Sequence, residues 1–184
     1  MIWRTAHRAD PFARSLADRH YNRQKVGSLQ FAPPGRCFVL TAETEDGKAF
    51  WITSWPYAQY VKHAWAGAWV CSAFRTEGIG PASDLIRSAV AATRAYYGEP
   101  PALGMITFID LKKVRPIITR GVRHWGYTYE KAGFEAAGFT QGGLLALRLD
   151  PKNMPEPSPP AGFNGPHKDY AAPDTPLAPA VQTG

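Results

Sequence analysis

Only two cysteines, Cys37 and Cys71, occur in 184 residues, and both sit in apolar, strand-like surroundings. That scarcity argues against a disulfide-stapled scaffold and predicts a reduced, cytoplasmic protein with buried thiols. No apolar run approaches the ~18 residues that a membrane-spanning helix needs, so no span is expected. The opening Met1-Ile2-Trp3-Arg4-Thr5-Ala6-His7-Arg8 lacks the long apolar stretch of a secretory leader. No internal repeat is present. His63, Lys48 and the two cysteines offer no ligand spacing for a metal, and none is expected. Acidic residues are missing from one long stretch, because none occurs between Leu111 and Tyr129.

What is present describes one domain with an appendage. The hydrophobic fraction of 45% suffices for a sizeable core. Residues 151–184 hold nine of the seventeen prolines and almost no periodic apolar pattern. They read as a disordered or surface-draped tail, which leaves residues 1–150 as the folded domain. The formal charge is +6, and the tail is slightly acidic, with Lys152 and Lys168 against Glu156, Asp169 and Asp174, so the first 150 residues carry about +7. Arg4, Arg8, Arg14, Arg19, Arg23 and Lys25 face only Asp10 and Asp18. A second cluster joins Lys112, Lys113, Arg115, Arg120, Arg123 and His124, followed at once by Trp125, Tyr127 and Tyr129. Such clusters favour polyanions, and cations beside aromatic faces suit unstacked bases. A solvated basic surface beside core aromatics is the plainer alternative.

The pattern predicts strands at 37–43 and 49–55, joined by a turn at Asp46-Gly47. Further strands are expected at 68–74, 103–109 and 144–149. Leu85, Ala89, Ala92 and Tyr96 recur at helical spacing within 82–97, with Pro81 before the helix and Gly98 after it. Ser83 or the preceding turn is the candidate cap. Residues 111–124 read as a basic loop and 127–132 as a short helix ended by Gly133. Strands mixed with crossover helices imply an α/β or α+β fold whose mixed sheet is parallel near the glycine turn.

That turn is Arg75-Thr76-Glu77-Gly78-Ile79-Gly80, between a strand and a helix N-terminus. Backbone N–H groups lie free there for an anion. Gly78 and Gly80 allow close approach, and Arg75 adds a charge-assisted contact to a phosphate or carboxylate. Glycines serving only the geometry of the connection are the alternative. Glu77 places a carboxylate where a pyrophosphate would sit, unless it points away. Asp18-Arg19-His20-Tyr21-Asn22-Arg23-Gln24 is dense in polar groups, and His20 offers a base, a metal ligand or a stacking ring. Asp110 ends a buried strand, where open sheets present site residues, and either accepts a proton or caps its loop.

Arg75-x-x-Gly78-x-Gly80, followed by Tyr129-Glu130-Lys131-Ala132-Gly133-Phe134, resembles the GNAT acyltransferase superfamily over roughly residues 35–149. The resemblance implies acetyl-CoA or a related acyl donor at Arg75, Gly78, Gly80 and Ser83, and Tyr129 as general acid to the departing thiolate. A core tyrosine is the alternative, and Tyr127 replaces Tyr129 if the register shifts. His20-Tyr21, Phe74-Arg75-x-Glu77-Gly78, Ser83-x-Leu85-Ile86 and the strand ending in Asp110 resemble the phage Mom type. Proteins of that type carbamoylmethylate the adenine N6 amine of DNA and so protect phage DNA from host nucleases. On that resemblance Tyr21, Arg75, Ser83 and Asp110 are functional positions in a protein of the host cytoplasm. His20, Arg23, Lys112, Lys113, Arg120, Arg123 and Trp125 would then hold DNA, with Tyr21 or Trp125 stacking on the base. The donor is not identified by sequence. An acetyl-CoA-dependent N-acetyltransferase for a small or protein amine is the competing reading. A nucleic-acid-binding protein that kept the fold without the chemistry is a third.

Overall fold

A computed structural model describes residues 1–166. The chain runs β1 (Arg4–Ala6), α1 (Pro11–Ala17), β2 (Cys37–Glu43), β3 (Lys48–Ser54), β4 (Trp69–Glu77) and α2 (Ala82–Tyr97). It continues through β5 (Met105–Ile109), β6 (Ile117–Thr119), β7 (Val122–His124), α3 (Tyr127–Lys131), β8 (Glu135–Phe139) and β9 (Leu145–Leu149). Seven strands form one mixed sheet in the order β1-β2-β3-β4-β5-β9-β8, and β6 pairs with β7 apart from it. Within the large sheet, β4 and β5 are the parallel neighbours, joined through α2. The fold is therefore mixed α/β.

Both faces of the sheet are covered because its central strands are apolar on both sides. Trp51, Trp69, Met105, Leu147 and Leu149 pack under Leu85, Ile86, Ala89 and Val90 of α2. Val39, Phe50 and Ile52 point the other way, onto Ala13 and Leu16 of α1. The start of α1 is set by Asp10, whose carboxylate accepts the Ala13 N–H at 2.9 Å, and by Pro11 in the first turn. At the far end of α2, Gly98 takes a φ of +86° and its N–H reaches the Arg94 carbonyl at 2.8 Å.

The turn between β2 and β3 packs on the β4–α2 connection through two glycines. A Cβ on Gly47 would lie 1.8 Å from the Glu77 carbonyl oxygen, and one on Gly78 would lie 2.6 Å from that of Asp46. Close backbone approach thus accounts for Gly78 without any ligand.

The boundary expected at residue 150 lies later. Met154 and Pro160 are buried. Arg94 donates to the Pro155 carbonyl at 2.7 Å and the Ser158 N–H to Ala91 at 3.1 Å. Ala161 exchanges backbone bonds with Trp3 and Thr5, at 2.9 and 3.0 Å, which covers part of the β1 edge. Proline lacks a donor but leaves its carbonyl free, so a proline-rich segment can still be strapped down. Residues 167–184, the rest of the expected flexible tail, lie outside the described residues. Among the described residues no helix is long and apolar enough to cross a membrane.

Candidate functional site

β4 and β5 pair only at Trp69–Met105 and Val70–Ile106. Beyond these pairs the Thr107 hydroxyl donates to the Cys71 carbonyl at 3.1 Å. The separation coincides with a bulge. Ile52 faces Ala73 and Thr53 faces Cys71, leaving Ser72 as the extra residue of β4. An opening therefore lies at the carboxyl ends of two parallel strands, where open sheets bind ligands.

Two cavities meet in it and share His20, Asn22, Cys71, Ser72, Ala73 and Phe108. The one on the α2 and α3 side, about 320 Å³, adds Tyr21, Arg75, Ala82, Thr107 and Tyr129. The one on the α1 side, about 470 Å³, adds Gln24, Gln30, Phe31, Phe50 and the prolines of the 33–34 turn. Neither lining contains an aspartate or a glutamate.

Two phenols approach this opening. Tyr129 projects from α3 and its hydroxyl lies 3.4 Å from the Cys71 sulfur. Burial holds the Tyr129 phenol well above its ordinary pKa, and the neighbouring Cys71 adds to the shift. Burial likewise pushes the Cys71 thiol up to about 12. Both groups therefore keep their protons at neutral pH. Cys71 is not a thiolate nucleophile, which disfavours a covalent cysteine intermediate. The Tyr21 hydroxyl reaches the Phe108 carbonyl at 3.5 Å, and burial raises its pKa against the opposing effect of the Asp110 backbone N–H.

Several expected site residues are already engaged. The Asp110 carboxylate accepts the Lys112 N–H at 3.0 Å and lies 3.9 Å from the Lys113 ammonium, so the side chain caps its own loop. Arg75 binds Glu77 at 2.7 Å and the Arg19 carbonyl at 2.9 Å, which leaves it only partly available to an anion. Glu77 is gripped by Arg19 as well, at 2.7 and 2.9 Å, and these arginines draw its carboxyl down to about 2. Its charge is thus committed within the turn.

Arg23 does not present a free charge to DNA. Its guanidinium binds Asp18 at 2.7 Å and the carbonyls of Gln30 and Ser28 at 3.0 and 2.8 Å, organising the 18–30 segment. Trp125 is half-buried against the core, so part of its ring is taken up in packing. α2 begins at Ala82 after Pro81 with no side-chain cap, which places Ser83 within its first turn and not at the cap. Gly80 has a φ of +83° and open space where a Cβ would be.

His20 stacks on Tyr21 at 4.7 Å, and its Nδ1 accepts the Asn22 N–H at 3.2 Å. Burial, reinforced by the Arg75 charge, lowers its pKa to about 4. The ring is therefore neutral at pH 7. Acid should loosen this corner in two windows. Folding favours neutral His20, so its contribution is complete above 6.5 and is lost as pH falls towards about 4. The Glu77 contribution is present above 4.5 and is lost as pH falls towards about 2. Acid titrations of unfolding should show His20→Gln removing the upper window and Glu77→Gln the lower.

The expected basic loop contains a hairpin. β6 and β7 meet around Arg120 and Gly121, both with positive φ, and Ile118 lies opposite Arg123. Lys112, Lys113, Arg120 and Arg123 are exposed. No group of three or more His, Cys, Asp or Glu residues is arranged to hold a metal among the described residues.

The site thus unites Tyr21, Tyr129, His20 and Arg75, and adds Cys71, Thr107, Asn22, Gln24 and Gln30. Nothing local in the sequence marks Thr107 or Gln30, because a split between strands brings them near. No protein-family model, curated protein or solved structure matches the chain.

Proposed function

We propose that this chain is a GNAT-like transferase acting on an exocyclic amine of a DNA base. The Mom-type resemblance favours the adenine N6 amine and a carbamoylmethyl product. The observation that carries this reading is the acid-free lining of the opening, whose charged members are Arg23 and Arg75, with further basic residues outside it. An aliphatic amine is an ammonium at neutral pH and needs a base before it can attack. The lining holds no carboxylate to supply one, its phenols and thiol retain their protons, and Arg75 repels a cation. His20, lowered to about 4, is too weak a base to take a proton from an ammonium, and its Nδ1 already accepts the Asn22 N–H. The exocyclic amine of adenine is already neutral. It needs a flat pocket and hydrogen-bonding partners, and Asn22, Gln24, Gln30, Phe31 and Phe108 provide amides and rings.

In this reading the base enters from the larger cavity and the donor occupies the smaller one beside Arg75. The amine nitrogen attacks the donor carbon as the leaving group departs with the old bond's electrons. Tyr129 gives that group its proton and regains one from the nitrogen, which becomes acidic as its new bond forms. Tyr21, which lines the same cavity, orients the reacting groups. The exposed cations of 112–123 hold phosphates, in the host cytoplasm if the chain is phage-encoded.

The competing acetyl-CoA reading has one feature in its favour, the uncapped start of α2 beside the open Gly80. Fluorescence anisotropy with a labelled duplex and thermal melts with coenzyme A separate the two. Tight duplex binding should weaken steeply with salt, with a log–log slope of about −0.9 for each phosphate neutralised. Coenzyme A should leave the melting temperature unchanged. A raised melting temperature with no DNA binding would overturn the DNA reading in favour of an ordinary acetyltransferase.

A further inference from the structure

Two neighbouring features of the β6–β7 hairpin have no packing role among the described residues. It carries exposed aliphatic residues, Ile117, Ile118 and Val122, at 48%, 65% and 56% exposure. It is also basic, with Arg115, Arg120 and Arg123 on or beside it and Lys112 and Lys113 at its foot. Among the described residues, Lys113 is the one of these five cations with a carboxylate nearby, Asp110 at 3.9 Å. An isolated two-stranded ribbon is marginal in water, and exposed aliphatic side chains give it no stability there. Its roots are held, by Val114 and Trp125 against the core and by the 2.8 Å His124–Glu130 contact.

Those roots adjoin the candidate site. Val114 and Gly126, at the two ends of the excursion, both line the smaller cavity. The ribbon therefore rises from the rim of the opening. A Cβ on Gly126 would lie 2.6 Å from a Leu147 methyl, so that leg is pressed close to the sheet.

We infer that this hairpin is a wedge that enters duplex DNA and occupies the space left by the base drawn into the opening. The inference rests on the DNA reading above. A base must leave its stack before its amine can enter the opening, at a cost of a few kcal/mol. Aliphatic side chains pushed between base steps are a general way of sustaining an unstacked duplex. A two-stranded ribbon fits the B-form major groove, about 12 Å wide, where the adenine N6 amine is displayed. The deep, narrow major groove of A-form RNA would exclude it. Ile118 and Val122 flank the Arg120-Gly121 tip on opposite faces of the ribbon, so both sides of the wedge are apolar. The surrounding cations fix its register on phosphates.

The test uses the full chain and a duplex containing 2-aminopurine, whose fluorescence rises when the base unstacks. Wild-type protein should bind the duplex and raise the signal. The double variant Ile118→Ser/Val122→Ser should lose most of that rise, roughly tenfold, while its affinity changes less than about threefold, because phosphate contacts supply the binding. Arg120→Gln/Arg123→Gln should weaken binding and lower the magnitude of the salt slope by about 2. These exposed positions should leave thermal melts unchanged. A full fluorescence rise from the serine variant would overturn the wedge while leaving DNA as substrate. Sedimentation showing a dimer lost in that variant, with its DNA response intact, would assign the ribbon to a second copy and overturn the wedge. No binding by the wild type would remove the DNA reading and the wedge together.

Discussion

Replacing Tyr129 with phenylalanine is expected to reduce transfer by about 10²–10⁴-fold, the range for loss of a positioned acid. The substitution removes one hydroxyl and preserves the ring that meets Phe74 and Phe134 at 6.3 and 5.3 Å. The contacts of the hydroxyl with Cys71 and Thr107 are lost, so stability should fall by about 1 kcal/mol. The loss should lie in kcat, with substrate binding little changed, because in the proposed reaction the proton is needed as the leaving group departs. Because the phenol remains protonated far into the alkaline range, wild-type activity should show no fall from Tyr129 ionisation near neutral pH. Full activity in the phenylalanine variant would reduce Tyr129 to a packing role.

Trp51→Ala should produce the largest loss of stability, about 3–5 kcal/mol. Trp51 is fully buried, and its indole N–H donates to the Thr53 hydroxyl at 2.6 Å. Thr53 in turn meets Thr93 at 2.9 Å, and Thr93 donates to the Ala89 carbonyl at 2.8 Å within α2. Removing the indole opens a cavity and takes a donor from a buried hydroxyl chain that ties the sheet to the helix. The damage should extend to the site, because Trp51 packs on Phe74 at 5.8 Å and Phe74 packs on Tyr129. A domain of ordinary stability has roughly 5–15 kcal/mol to lose. The melting temperature should therefore fall by roughly 10 °C or more. A shift below about 2 °C in a calorimetric scan would contradict the core role given to this residue.

The sequence made the elements with strong local signals legible. β2 occupies the residues expected from its run of strand formers before the Asp46-Gly47 turn, and α2 runs from Ala82 to its glycine stop at Gly98. Elements without such signals were hidden. β8 is Glu135-Ala136-Ala137-Gly138-Phe139, poor in strand formers, and it forms through its pairing with β9. The Asp10-Pro11 pair does mark the start of α1, because an acidic cap followed by proline is a helix-start signal. β6 and β7 are too short for periodicity to reveal, although their Arg120-Gly121 turn is compatible with a hairpin.

The candidate site was legible in part. Tyr21, His20, Arg75 and Tyr129 come together from three separate segments, with Tyr21 and Tyr129 singled out in sequence by the resemblances. Residue type could not say which charges were already satisfied. Asp110, Arg23 and Glu77 look like free site groups in sequence, yet each is committed to a partner that folding brings near. Cys71 reads as an ordinary strand residue until the bulge at Ser72 and the divergence of β5 place it in the wall of an opening.

Nucleoside mass spectrometry on plasmid DNA from cells expressing this chain, beside Tyr129→Phe and Tyr21→Phe controls, tests the central claim most directly. A new adenine-derived nucleoside with the wild type, absent or sharply reduced in both controls, is the result expected. Unmodified DNA from cells containing soluble, folded wild-type protein would contradict it.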